Sequence, residues 1–408
     1  MTQTFARITD EMVERARRRI GIEKPVRNAT WEVASKDALR HFAWANGDLN
    51  PLWTDAAYAA KTSWGGLIAP PCFPMVDHMT PMYPMPLERK SKGEGFPGLM
   101  AMISMHEFTF HDPIHVNEPV QTLEKTVGII DTNGRADGDL VVKADWEQAL
   151  KAADQRRSND SGRMIDQVQD FSMYASGKLA ASCLLHYARV ERGVVKPEEG
   201  KFKNLDLPKY SASDLQTISD AYENEYRRGA DPIGWDDVVE GMEIPAVMKG
   251  PLTSLDMTVY LSGVPMMFNM ADRIKHLFLN RFPAANFPDP ITNVPDVPER
   301  AHWDTWMANT LGWPRGYDFG PQGSSAFSYM LTNWIGDDSL LRELKVWRVR
   351  PLFMYEAMWV RGHVVKKTRT TSGAFVDLTL RAETFHSQEA VYEGTARVEL
   401  RFPAQGKS

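Results

Sequence analysis

The 408 residues predict an α+β fold made of two copies of one unit, each a helix followed by long antiparallel strands. Three observations carry that expectation. Helical and strand-like stretches follow one another in the same order twice, with a Lys-, Glu- and Pro-rich interval from Gly193 to about Ser211 between them. Each half holds a related short segment, Trp53-Thr54-Asp55 in the first and His302-Trp303-Asp304 in the second. Some fifty residues beyond each lies a similar Pro-containing turn, His111-Asp112-Pro113-Ile114 and Val349-Arg350-Pro351-Leu352. The halves are expected at 1–192 and 228–408, joined by a linker over 193–227, and 43% hydrophobic content suffices for a sizeable core.

In the first half, residues 5–21 read as a surface helix, and Ser35 as the N-cap of a second running 36–46, with Leu39, Phe42 and Ala43 on one face. A short helix follows at 56–61. Gly65 to Phe73 then leads into an apolar stretch through Met79, expected as a helix. From about residue 99 the pattern turns to strands at 102–110, 120–130, 139–145, 164–175 and 179–190, broken by Gly, Asn and Asp turns, with 151–162 as a hairpin loop.

The second half repeats the order. Residues 235–245 form an edge segment, Thr253-Ser254-Leu255-Asp256 opens a helix to Leu261, and 320–334 supplies a second long helix. Strands at 344–349, 358–366, 375–383 and 392–402 close the chain. In the last, Ala396, Val398, Leu400 and Phe402 alternate with Arg397, Glu399 and Arg401, the mark of a sheet with one wet face. About forty residues between Leu261 and His302 have no counterpart in the first half, and an insertion of that kind more often shapes a cleft than a core.

A formal charge of −6 leaves no basic stripe to follow a phosphate backbone, so nucleic acid is not an expected partner. Cys72 and Cys183 stand far apart without metal-ligand spacing, which argues against both a disulfide framework and a metal site and suits a reducing cytoplasm. The charged N-terminus lacks the apolar core of a secretory signal. No apolar run is long enough to span a bilayer, so no membrane association is expected.

The segment Gly47-Asp48-Leu49-Asn50-Pro51-Leu52-Trp53-Thr54-Asp55 resembles the G-D-x-N-P-[LI]-H-x-D motif of the MaoC-like, hydratase-2 type acyl dehydratases, with Trp53 where the motif has histidine. Arg228-Gly229-Ala230, Lys249-Gly250-Pro251-Leu252-Thr253 and Asn333-Trp334-Ile335-Gly336-Asp337-Asp338 extend the resemblance over most of the chain. It implies a double hotdog, each half a central helix wrapped by a curved antiparallel sheet. Asn117-Glu118 and Tyr355-Glu356 depart from the family's usual Gly-Asp at a strand turn.

Indole cannot act as a base, whereas imidazole accepts and returns a proton near neutral pH. The resemblance therefore makes the first half a degenerate site and places the chemistry in the second. There His302 is the expected catalytic base. The family's aspartate stands five residues before the histidine, a position held here by Val297, so Asp296 is favoured as its acidic partner, with Glu299 as the alternative. The family binds the thioester oxygen with amides at the start of the central helix. Pro70 and Pro71 lie at that place in the first half and have no N–H to give. In the second half Gly320 and Gln322 are the expected donors, with Tyr317 and Asp318 beside the substrate.

The function implied is reversible hydration of a 2-enoyl-CoA to a 3-hydroxyacyl-CoA, R in configuration, without metal or other cofactor, coenzyme A being part of the substrate. Met75, Met79, Met82, Met85, Met100, Met102 and Met105 make the first half a candidate lining for a bulky acyl chain, since methionine adapts to irregular apolar ligands. Two alternatives stay open: an acyl-CoA thioesterase, for which Asp318 is the candidate carboxylate, and a non-catalytic acyl-binding subunit. Sheet edges in such folds are often paired, so a homo-oligomer is a further expectation.

Overall fold

The computed structural model describes residues 5–80, 82, 95–131, 135–137 and 163–401. The first half contains α1 (Asp10–Arg17), β1 (Glu23–Pro25), α2 (Lys36–Ala45), α3 (Pro51–Thr54), α4 (Ala56–Ala59), a 3-10 turn at Phe73–Asp77, β2 (Met100–Phe110), β3 (Val120–Asp131), β4 (Arg135–Asp137), β5 (Met164–Ala175) and β6 (Lys178–Val190). After α5 (Ala212–Glu223) come β7 (Glu243–Lys249), α6 (Ser254–Gly263), α7 (Asp272–Arg281), α8 (Thr305–Asn309), α9 (Gly320–Ile335), β8 (Leu340–Arg348), β9 (Met358–Thr370), β10 (Gly373–Thr384) and β11 (Ala390–Leu400). The expected strand at 139–145, the loop at 151–162, Met85 and Phe402 lie outside the described residues.

The strands form one antiparallel sheet in the order β1-β3-β5-β6-β2-β8-β11-β10-β9-β7, with β4 beside β3. Read outwards from the β2–β8 seam, the two sides are the same topology: β2, β6, β5, β3, β1 against β8, β11, β10, β9, β7. This is a double hotdog held in one chain. The seam pairs Met105 with Trp347 and Glu107 with Lys345.

Local chemistry agrees between the halves. Ser35 caps α2 through its side chain, while Thr253 and Asp256 form a capping box on α6. Asn117 and Tyr355 both take positive φ, at 67° and 73°. At both turns a glutamate carboxylate accepts a backbone N–H three residues earlier, Glu118 from His115 at 2.8 Å and Glu356 from Phe353 at 2.9 Å. The departure from Gly-Asp therefore leaves the turn intact; Asn tolerates left-handed backbone, and Tyr355 is held there by the bonds around it.

α9 packs against β8, β2, β7, β9 and β11 and is buried on every side, from Pro321 to Ile335 with Gln322 as the exception. Full burial of a side chain the size of Met330 or Leu331 stabilises by roughly 1.5–3 kcal/mol. The first half differs here. The helix expected through Met79 is reduced to the 3-10 turn at Phe73–Asp77, because Pro70, Pro71 and Pro74 remove successive N–H donors. α1 is likewise shorter than expected and starts at its Thr9 cap. The expected linker interval contains α5, whose Ile218 is buried against Met248 and Ala357.

Candidate functional site

His302 ends a 3-10 turn, Pro298–His302, that leads into α8. Asp304 caps α8 by accepting from the Met307 amide at 3.0 Å, just as Asp55 caps α4 by accepting from Ala57 at 2.9 Å. Counting back from these caps puts His302 at the place of Trp53, Glu299 at that of Asn50 and Val297 at that of Asp48. A second match fixes the helix entrance: Ile68 bridges His115 as Tyr317 bridges Phe353. The Ala69 and Asp318 amides donate to Ile114 and Leu352 in the same way, so Pro71 is the counterpart of Gly320.

The His302 ring lies between Tyr317 and Phe319, with centroid separations of 4.4 and 4.0 Å. Its Nδ1 is 2.9 Å from the Tyr317 carbonyl oxygen. A carbonyl can only accept, so Nδ1 carries the hydrogen and Nε2 carries the lone pair. Burial pushes the ring's pKa down to about 3 against the pull of the Tyr317 and Asp318 backbone, and Arg348 and Arg192 lower it further. The ring is neutral at ordinary pH.

His302 lines a cavity of about 1420 Å³, open mouth included, together with Glu299, Tyr317, Phe319 and Gly320. Glu299 is 6% exposed, and burial pushes its carboxyl up to about 8. As the first residue of α9, Gly320 has an N–H with no intrahelical carbonyl to bond, at the positive end of a 16-residue helix. The absence of a side chain at Gly320 serves packing as well: a Cβ there would lie 2.6 Å from that of Ile103.

Three of the expected site residues stand elsewhere. Asp296 does not line the cavity; it lies 3.8 Å from Arg300 and its Oδ1 accepts from the Val297 amide. Gln322 turns away, its amide donating to the Phe319 carbonyl at 3.0 Å and its Oε1 accepting from the Phe319 amide at 2.8 Å. Asp318 is wholly engaged: it accepts from Arg348, from the Leu352 amide and from the Tyr392 hydroxyl. Tyr317 does line the cavity, with its hydroxyl unpartnered.

Sequence reasoning did not find Met164 and Met266, which line the cavity beside Met79, Met100 and Met102. Of the other methionines named above, Met75 and Met105 belong to the core and Met82 packs near Phe268 and Phe278. The insertion contributes Met266 and Glu299, so it does shape this cleft.

The counterpart space in the first half is smaller, about 640 Å³, and is lined by Asn50, Trp53, Pro70 and Pro71. There Asp48 accepts from the Trp53 indole at 2.9 Å and from the Asn50 amide at 2.9 Å, while Asn50 accepts from the Leu52 amide. Both residues brace the turn. Among the described residues no group of three or more His, Cys, Asp or Glu side chains is placed to hold a metal ion. None of the helices there is long and apolar enough to cross a membrane.

Residues 24–149 match the family model of the FAS1-like dehydratase domain region. No curated protein matches the sequence. Among solved structures, one named MaoC-like dehydratase superposes with a TM-score of 0.59 at 14% identity, covering 94% of this chain and 99% of its own. A MaoC-like dehydratase from Phytophthora capsici gives 0.49 at 10% identity, with 96% and 99% covered. A conserved hypothetical protein from Mycobacterium tuberculosis, described as a double hotdog, gives 0.48 at 9% identity, with 93% and 96% covered. The chain has the double hotdog fold of the MaoC-like dehydratase on which it superposes, and residues 24–149 are similar to a FAS1-like dehydratase region.

Proposed function

We propose that the protein hydrates 2-enoyl-CoA thioesters reversibly to 3-hydroxyacyl-CoA, R in configuration as the family resemblance implies, at the single site built around His302. The observation that carries this reading is the meeting of His302, Glu299 and the Gly320 amide on one cavity. A hydration needs a base at the β-carbon, an acid at the α-carbon and donors for the enolate oxygen. His302 Nε2 takes a proton from water as its oxygen bonds to the β-carbon. Glu299, protonated below about pH 8, gives its proton to the α-carbon, and the imidazolium then returns a proton to the glutamate. The Gly320 N–H and the end of α9 hold the thioester oxygen while it carries charge.

Glu299 thus replaces Asp296 in the role of acidic partner. The methionine-lined cavity supports a bulky acyl group. The thioesterase alternative loses its carboxylate, since Asp318 is held by Arg348, Tyr392 and the Leu352 amide. Acyl-CoA is the partner the proposed site requires.

The test is incubation with crotonyl-CoA and longer enoyl-CoAs while following the conjugated thioester absorbance and free thiol together. Loss of absorbance without thiol release is the expected result. Thiol release, or no change with any enoyl-CoA, would overturn the proposal.

A further inference from the structure

Arg192, two residues past the end of β6, is 1% exposed. Its Nη1 donates to the Thr310 hydroxyl at 2.6 Å and approaches the Met307 sulfur at 3.5 Å, and its Nη2 meets the Met100 sulfur at 2.7 Å. Nε has no partner, and the guanidinium lies 4.9 Å from the Phe287 ring centroid. Among the described residues no carboxylate pairs with it. Thioethers are weak acceptors and carry no charge, so this buried cation is left uncompensated, an arrangement that strongly favours an anion.

The arginines that line the cavity are all matched: Arg348 by Asp318, Arg350 by Glu356, and Arg163 by Asp131 and Asp10. Met100, Thr310 and Tyr317 line the cavity, with Arg192 directly behind the first two. The Tyr317 hydroxyl, on a residue 2% exposed, likewise has no hydrogen-bond partner. Arg192 is also close enough to His302 and Tyr317 to influence the titration of both. Met100 is a flexible side chain that a stronger acceptor would displace.

We propose that Arg192 and the Tyr317 hydroxyl form a receptor for a carboxylate borne on the acyl group, so that the favoured substrates are CoA thioesters of dicarboxylic acids. This rests on the site being an acyl-CoA site and adds the chemistry at the far end of the acyl chain. Arg192 is sealed from solvent, which suits the buried end of a substrate rather than the phosphates at a cavity mouth.

Calorimetric titration of the full-length protein with glutaryl-CoA and pentanoyl-CoA tests it, because the two differ only in a terminal carboxylate and neither can be hydrated. Glutaryl-CoA is expected to bind at least about tenfold more tightly, as a charge-assisted contact requires. Arg192→Met should bring the ratio of the two affinities to about one, and Tyr317→Phe should lower it a few-fold. The wild-type ratio decides the matter even if a variant fails to fold. Equal or tighter binding of pentanoyl-CoA overturns the receptor. So does equal weakening of both thioesters by Arg192→Met, which would assign the charge to the coenzyme or to the fold. Crotonyl-CoA hydration without the preference removes this inference alone; the preference without hydration removes the proposed activity alone; binding of neither thioester overturns both.

Discussion

The His302 ring gives its Nδ1 hydrogen to the Tyr317 carbonyl oxygen 2.9 Å away, and that one bond decides which nitrogen can serve as a base. Replacing His302 by Ala removes the base and leaves the Tyr317 carbonyl facing the cavity. Turnover of an enoyl-CoA is expected to fall by about 10²–10⁴-fold with the thermal transition close to that of the parent. His302→Gln, which can bond the carbonyl but accepts no proton, should be equally inactive. Activity in the Gln variant within tenfold of the parent would show that the ring only positions its neighbours.

In the proposed reaction, Glu299 is expected to impose a pH dependence on one side. Its carboxyl is held protonated up to about pH 8 by burial, and His302 stays neutral down to about pH 3. A reaction needing the acid form of one and the base form of the other is flat through the neutral range and declines as pH rises through about 8. Glu299→Gln should abolish turnover, while Asp296→Asn, at a carboxylate tied to Arg300, should cost only a few-fold. An alkaline limb that survives in a still active Glu299→Gln enzyme would point to another group.

What could be read from the chain was what local chemistry writes there. The caps Ser35 and Thr253 announced their helices because capping acts over three residues. The strands followed from alternation, and their recurrence in two halves from the repeat. Asp318 was misplaced because Arg348 and Tyr392, which claim its oxygens, arrive from strands 30 and 74 residues away. Gln322 was misplaced because a capping bond back to Phe319 was not weighed, although its spacing allowed it. Asp296 was favoured over Glu299 for lack of the Asn50 comparison, which the two H/W-x-D segments already permitted; of the two, Glu299 lines the cavity. Arg192 carries no local signal, since burial of a charge is a property of the assembled fold.

Trp53 is not the sole defect of the first site. Its indole donates to Asp48 at 2.9 Å, and Pro71 stands where Gly320 would offer an amide. Restoring a histidine therefore restores a base without an oxyanion donor. The double variant Trp53→His, His302→Ala is expected to remain as inactive as His302→Ala in the enoyl-CoA assay. Recovery to within tenfold of the parent would mean that the first half lacks nothing but its imidazole.

Gly263 ends α6 where that helix crosses α2, and a Cβ placed on it would lie 2.3 Å from the His41 carbonyl oxygen and 2.6 Å from the Ala45 Cβ. Counting from the caps Ser35 and Thr253, Ala45 is its own counterpart in the other half. The two helices therefore meet close to the pseudo-twofold axis. Gly263→Ala should destabilise by roughly 1–3 kcal/mol in denaturant titration, since backbone must shift to admit the methyl. A variant as stable as the parent would show that the helices can part without cost.

His186 supplies the last test, because both its ring nitrogens face carboxylates: Nδ1 is 2.9 Å from Asp166 and Nε2 is 3.4 Å from Glu107, which in turn meets Lys345 across the seam at 3.2 Å. Burial alone would lower the imidazole's pKa, but the Asp166 and Glu107 carboxylates outweigh it and raise the value to about 9. A group that binds its proton more tightly when folded contributes fully below its unfolded pKa near 6.5, and the contribution fades as pH climbs through about 9. That interval corresponds to roughly 3 kcal/mol. Denaturant midpoints should therefore drop between pH 6.5 and 9.5 in the parent. His186→Gln, weakened throughout because two buried carboxylates lose their cation, should show no such decline. An undiminished slope in that variant would locate the titrating group elsewhere.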